Sequence, residues 1–260
     1  MADKFAIITG ASTGIGLELA RLAAADGYDL LVAADTPLVD ATASLQGLGV
    51  RVESIEGDLS TIEGVDRLLA ATGGRRIDLL CANAGHGLGG AFLDQSVADW
   101  RHVIDTNVTG TIYLLQKVLK TMVTQGEGKV LVTGSIAGWM PGSFQAVYNG
   151  AKAFVDNFTA AIRNELKDHD GITITTLEPG PVETEFFHRA GMDDTKVGQS
   201  ESKSDPADVA RDGWDALMKG KDTIISGWSN KLQVAAAGVL PQSVPAQMHR
   251  NIAEPGSGDA

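Results

Sequence analysis

Only one cysteine, Cys81, occurs in 260 residues, so no intrachain disulfide is possible and nothing argues for an oxidising compartment. It stands in the apolar run LLCA, where a buried, inert thiol is expected. Basic residues are also short: 21 Lys and Arg against 33 Asp and Glu leave a formal charge of −12. With no basic run, the chain lacks the positive face that nucleic acid or an anionic membrane surface requires, and neither is expected as a partner. No segment approaches the roughly 20 apolar residues of a membrane span. The apolar stretch in MADKFAIITG is shorter than a signal peptide's and is needed as a first strand. The five histidines are scattered without HExxH or a comparable spacing, so no metal site is expected. A cytoplasmic protein with a solvated acidic surface is the expectation.

What is present is rhythm. Short apolar runs stand at FAIIT (5–9), DLLVA (29–33), VESIE (52–56), DLLCA (78–82), KVLVT (129–133), ITITTLE (172–178) and TIIS (223–226). Continuous apolar or β-branched runs suit strands buried on both faces of a parallel sheet. Between them, LELARLAAADG, VDRLLAATG and VDNFTAAIRNELKDHDG recur at helical spacing. The alternation predicts a doubly wound α/β fold: one seven-stranded parallel sheet with helices on both faces. A single domain is expected over 1–236, within which the polar segment 186–205 is a lid that orders on binding. Residues 237–260 form a C-terminal extension whose last half dozen are expected to be disordered.

The first strand runs into TGASTGIG, residues 9–16. Gly10, Gly14 and Gly16 permit a tight turn, and the next helix then meets phosphates with free N–H groups at its positive end. Ile15 lies in the same turn, and Ser12 and Thr13 add hydroxyl donors. The spacing TGxxxGxG resembles the short-chain dehydrogenase/reductase family, in its shorter branch of Rossmann-type domains. Further motifs follow in order: CANAG (81–85), Asn107 in DTNVTG, Ser135 in VTGSIAG, YNGAK (148–152) and EPGPVET (178–184). Together they cover the chain from residue 5 to about 185.

A carboxylate closing the second strand accepts hydrogen bonds from the adenosine ribose and repels a 2′-phosphate. Asp35 stands there, with Ala34 as the alternative facing residue, and no Arg or Lys occurs between Arg21 and Arg51. NAD is therefore expected, with NADP as the alternative. The resemblance further implies that Asp58 and Leu59 flank the adenine and that Asn83, Ala84 and Gly85 line the cofactor cleft. It also implies that Pro179, Gly180, Val182 and Thr184 wrap the nicotinamide.

Tyr148 and Lys152, four apart on a helix, share a face. An ammonium beside the phenol, together with an oxidised nicotinamide, favours the phenolate; lowering its pKa by about three units needs roughly 4 kcal/mol. Tyr148 is then a general acid/base. The resemblance implies that Ser135 holds the reacting oxygen, that Lys152 bonds the nicotinamide ribose, and that Asn107 holds a water in a proton relay. The expected activity is hydride transfer between a nicotinamide dinucleotide and a secondary alcohol or ketone. A regulatory dinucleotide-binding protein of the same fold is the alternative.

The substrate pocket is expected from loops at the strands' carboxyl ends. His86, Ile136, Trp139, Met140, Phe144, Phe186 and Phe187 are its candidate residues, which suggests a small to medium, largely apolar carbonyl or alcohol substrate. By analogy with the family, a homodimer or homotetramer is expected, joined through the helices that carry Asn107 and Tyr148.

Overall fold

A computed structural model describes residues 4–258. The chain alternates strand and helix: β1 (Lys4–Thr9), α1 (Gly14–Ala25), β2 (Tyr28–Ala34), α2 (Val39–Gln46), β3 (Val52–Glu56) and α3 (Ile62–Ala70). The second half begins with β4 (Leu79–Ala82), α4 (Val97–Ile104), α5 (Thr111–Gln125) and β5 (Gly128–Thr133). Then come α6 (Ala146–Glu165), β6 (Ile172–Glu178), α7 (Phe186–Arg189), α8 (Lys196–Gln199), α9 (Pro206–Met218) and β7 (Thr223–Ile225). Two further helices, α10 (Trp228–Ala237) and α11 (Ser243–Ala253), complete the order. All seven strands are parallel, in the order β3-β2-β1-β4-β5-β6-β7. Each of the seven expected apolar runs is a strand to within one residue at either end.

The continuous apolar runs follow from two cores. Ala6 and Ile8 of β1, Leu30 and Val32 of β2, and Leu79 and Cys81 of β4 pack on one face with α1 and α9. Their alternates Phe5, Ile7, Leu31, Ala33, Leu80 and Ala82 pack on the other with α3 and α5. In the five inner strands period-two alternation thus sends residues of both faces into a core, which leaves no polar face to read in the sequence, whereas the edge strands β3 and β7 stay partly exposed. Burial also raises the Cys81 thiol far above its ordinary value, so it is inert. No helix among the described residues is long and apolar enough to cross a membrane.

Strand order reverses beside β1, where the β1–α1 turn and the β4 end open a crevice at the sheet's carboxyl edge. Two segments differ from expectation. The segment 186–205, polar on average, is already packed: Phe187, Ala190 and Met192 are buried and form a small core with Ala253 of α11. Its apolar residues are dispersed among polar ones, which hides them from a composition reading. The tail is fastened too. Gly256 donates to Asp194 Oδ2 at 2.7 Å and Gly258 to the Asp194 carbonyl at 2.8 Å. The disorder expected for the last half dozen residues therefore does not hold at 255–258, and residues 259 and 260 lie outside the described residues.

Candidate active site

The β1–α1 turn is shaped by two glycines in left-handed backbone, Gly10 at φ 66° and Gly14 at φ 59°. A side chain at Gly10 would meet Asn83 Nδ2 at 2.9 Å, and one at Gly14 would meet Thr184 Cγ2 at 2.8 Å. Thr13 precedes α1 without capping it through its side chain, so the first N–H groups of the helix remain available at the crevice. Gly16 differs from expectation. It is buried one turn inside α1, where a Cβ would stand 2.1 Å from the Gly10 carbonyl oxygen. It does not line the crevice, and its smallness serves packing of the helix against the turn.

Asn83 ties three strand ends together. Its Nδ2 donates to the Thr9 carbonyl at 3.2 Å, and its Oδ1 accepts from Thr133 Oγ1 at 3.0 Å. Asn107 lies in a six-residue π-helical stretch, Asp105–Gly110, between α4 and α5. Such distortions concentrate at functional sites, and an asparagine tolerates one better than a regular helix interior. Its Nδ2 donates to the His86 carbonyl at 2.7 Å, and its Oδ1 accepts from the His86 N–H at 3.1 Å. It is buried behind Gly85 and does not line the crevice itself.

Asp35, just past β2, faces the crevice, as does Ala34. Its Oδ2 lies 2.7 Å from His86 Nε2, and this hydrogen bond is the main reason its carboxyl sits below the ordinary value. His102 of α4 stacks at a tilt on His86, ring centres 4.6 Å apart. Histidines scattered along the sequence are thus adjacent in space: donor atoms of Asp35, His86 and His102 all lie within 4.8 Å of one another.

Ser135, Tyr148 and Lys152 meet at the crevice floor, each at most 9% exposed. Burial pushes the Tyr148 phenol up to about 12, against the opposing effect of its hydrogen bond with Ser135. The expected lowering is therefore not produced by the chain's own groups. Lys152 Nζ is 5.9 Å from the Tyr148 ring centre and donates instead to the Thr133 carbonyl at 2.8 Å. Burial lowers the lysine pKa as well, partly offset by Asp156. Asp156, one turn further along α6, has both carboxyl oxygens buried between Gly134 and Gly138. The Ser135 backbone N–H approaches it without forming a well-made hydrogen bond. Desolvation and the nearby Glu178 raise its pKa, so it favours the neutral acid.

Ser135, Tyr148 and Lys152 line one cavity of about 280 Å3. Gly10, Ser12, Thr13, Gly14, Ile15, Asp35, Asp58 and Leu59 contribute from the first half of the sheet. Asn83, Ala84, Gly85, Pro179, Gly180, Val182 and Thr184 contribute from the strand ends beyond. The left-handed glycines, the uncapped helix start and the carboxylate opposite them fit an extended dinucleotide. Of the expected substrate residues, His86, Ile136, Met140, Phe186 and Phe187 line the cavity. Trp139 and Phe144 do not. Trp139 turns outward, 50% exposed, and its Nε1 donates to buried Glu178. Phe144 lies under the Arg250 guanidinium, 4.8 Å away. The sequence reading missed Gln145, Gln233, His249 and Ile252, which all reach the cavity, as does Arg189, the one arginine it offered as a candidate.

A sequence model described as short chain dehydrogenase matches residues 4–195. The chain is 34% identical over 191 residues to a 3-oxoacyl-[acyl-carrier-protein] reductase of Synechocystis sp., which spans 72% of this chain and 77% of that protein. A short-chain dehydrogenase from Sphingobium yanoikuyae, solved in complex with NADPH, superposes with a TM-score of 0.79 at 26% identity, over 92% of this chain and 97% of that one. A Burkholderia phymatum structure in complex with NAD gives a TM-score of 0.80 at 23% identity, over 90% and 92% of the two chains.

Proposed function

This chain belongs to the short-chain dehydrogenase/reductase family, and from that premise we propose that it interconverts a secondary alcohol and a ketone, with Tyr148 carrying the proton. One observation carries the reading. Ser135, Tyr148 and Lys152 converge in the same cavity as a glycine turn shaped for a dinucleotide. A nicotinamide cofactor held there supplies or accepts the hydride. Ser135 and Tyr148 hold the substrate oxygen from one side, and the buried phenol, kept protonated, is ready to donate to a carbonyl oxygen. Lys152 supplies fixed positive charge at the crevice floor and anchors the β5 end through Thr133. Asn107 holds the Gly85–His86 backbone against that lysine, because a Cβ at Gly85 would meet Asn107 Oδ1 at 2.6 Å and Lys152 Nζ at 3.6 Å.

NAD is the preferred cofactor in this reading, since the Asp35 carboxylate faces the crevice where a ribose would lie. NADP has one observation in its favour: Arg189 also lines the cavity and acts electrostatically on Asp35. The Synechocystis relative is named a reductase of an acyl carrier thioester; this chain's cavity, with Ile136, Met140, Phe186 and Phe187, suits a smaller apolar ketone. The deciding experiment is fluorescence titration with NADH and NADPH, followed by a ketone screen read at the nicotinamide absorbance. Binding of neither cofactor removes the reading.

A further inference from the structure

Three elements far apart in the chain bring two imidazoles and a carboxylate to one point. Asp35 stands just past β2, His86 follows β4, and His102 lies in the last turn of α4. Tetrahedral zinc, with bonds of roughly 2.1 Å, keeps its ligand atoms about 3.4 Å apart. The donor atoms here straddle that spacing. His86 Nε2 and Asp35 Oδ2 are 2.7 Å apart, and the three residues' ligand atoms all lie within 4.8 Å of one another. Side-chain shifts on the order of 1 Å would bring all three onto one ion.

The backbone beneath these side chains is fixed. Asn107 bonds both the N–H and the carbonyl of His86, and Ser96 Oγ caps α4 by accepting from the Asp99 N–H at 3.1 Å. Only rotamers need adjust. The His102 ring makes no hydrogen bond among the described residues, and its contact is the tilted stack on His86. Stacking alone would be served by a phenyl ring at either position. What it leaves unexplained is the convergence of ring nitrogens on one carboxylate. The proton shared by His86 Nε2 and Asp35 stands where an ion would bridge the same two atoms.

We infer that Asp35, His86 and His102 bind one divalent transition-metal ion of the zinc type, and that this ion and the dinucleotide exclude each other. Two imidazoles with a carboxylate suit Zn2+, Co2+ or Ni2+, whereas Mg2+ and Ca2+ take oxygen ligands. Three protein ligands leave a fourth position for water. Arg189, the cation that acts on Asp35, sets a limit on the affinity. The exclusion rests on the proposed contact of Asp35 with the cofactor ribose. An ion and a ribose compete for one carboxylate, and the imidazole drawn onto the ion covers the crevice between them. Metal is thus an inhibitor, and linkage requires cofactor to weaken metal by the same factor.

The test titrates the untagged, metal-free protein with Co2+, read by its visible absorption, and with Zn2+ by calorimetry. One ion should bind per chain. His102→Phe keeps the stack on His86 but lacks the ligand nitrogen, and should weaken binding by about 30-fold or more. His188→Ala, which removes the exposed pair with Asp193, should leave it unchanged. Saturating Zn2+ should raise the Kd for NADH about tenfold or more in the wild type and leave it unaltered in His102→Phe. Wild-type NADH affinity in metal-free His102→Phe establishes that this variant is folded, and His102→Gln is read in its place otherwise. No bound ion, or binding that the His102 variant keeps, overturns the site. Binding that leaves NADH affinity unchanged overturns the exclusion. If metal-free protein binds no NADH, the proposed function fails by itself, and the cobalt titration still decides the site.

Discussion

The Lys152 ammonium lies 5.9 Å from the centre of the Tyr148 ring, while its own hydrogen bond goes to the Thr133 carbonyl. The two residues share a face of α6, but no direct bond joins them. Within the protein alone, desolvation outweighs the opposing hydrogen bond of Ser135 and the phenol stays protonated. A proton donor to a carbonyl is therefore in place without further help. The reverse reaction needs more positive charge at the phenol, which an oxidised nicotinamide carries.

Tyr148→Phe should accordingly lower kcat by about a thousandfold while leaving NADH affinity within a few-fold, because the ring still fills its place against Phe186. Stopped-flow absorbance and fluorescence titration of the same preparation separate the two quantities. Unchanged turnover would sink Tyr148 as the proton carrier.

Asp156 makes stability depend on pH. Its folded pKa is raised, so above the ordinary carboxylate range the folded state retains a proton that the unfolded chain releases. Stability is then fully present at acid pH and declines as pH rises through the folded value. Asp156→Asn keeps the shape without the charge. It should be more stable than wild type by about 1–2 kcal/mol near neutral pH, and the difference should shrink in acid. Urea unfolding across the pH range checks this. A less stable variant at neutral pH would show that the Asp156 charge is needed beside Lys152.

Asp35→Ala should weaken NADH about tenfold and strengthen NADPH, since it removes a ribose acceptor and a charge opposed to a 2′-phosphate while Arg189 remains. Paired titrations give the ratio directly. Equal affinities before and after substitution would place the ribose elsewhere.

The sheet was legible because parallel strands buried on both faces write continuous apolar runs, and Gly10 and Gly14 because left-handed backbone all but demands glycine. Gly16 resembled its neighbours in sequence, yet it answers a packing constraint that appears only once α1 lies on the turn. Contacts between distant residues were not legible. His249 meets Ser143 across 106 positions, and Arg189 meets Asp35 through space, so neither leaves a periodic signal. Asp156 within VDNF looks like any solvated helix residue until Gly134 and Gly138 are seen enclosing it.

On α6, Phe154 is 44% exposed and stacks on Phe158, ring centres 5.8 Å apart. Phe158 itself packs on the core below, so Phe154 is the aromatic that this helix presents outward, a feature expected of a subunit contact. If the chain assembles through α6, Phe154→Asp should lower its mass to that of a monomer in size-exclusion chromatography with light scattering. An unchanged mass would move the contact to another face.

Ending the chain at Leu240 removes α11 and the fastened tail. The cofactor half of the cavity, built by residues 10, 12–15, 35, 58–59 and 83–85, makes no hydrogen bond to that helix among the described residues, so NADH affinity should stay within a few-fold. The substrate half loses His249 and Ile252 from its wall and Ala253 from the core with Phe187 and Met192. The Michaelis constant for ketone should rise at least tenfold, with a melting temperature about 5 °C lower, as the loss of one or two kcal/mol would give. Differential scanning fluorimetry and steady-state kinetics read both. An unchanged Michaelis constant would mean that α11 only covers the cavity from outside and that the substrate is bound by the sheet-end loops alone.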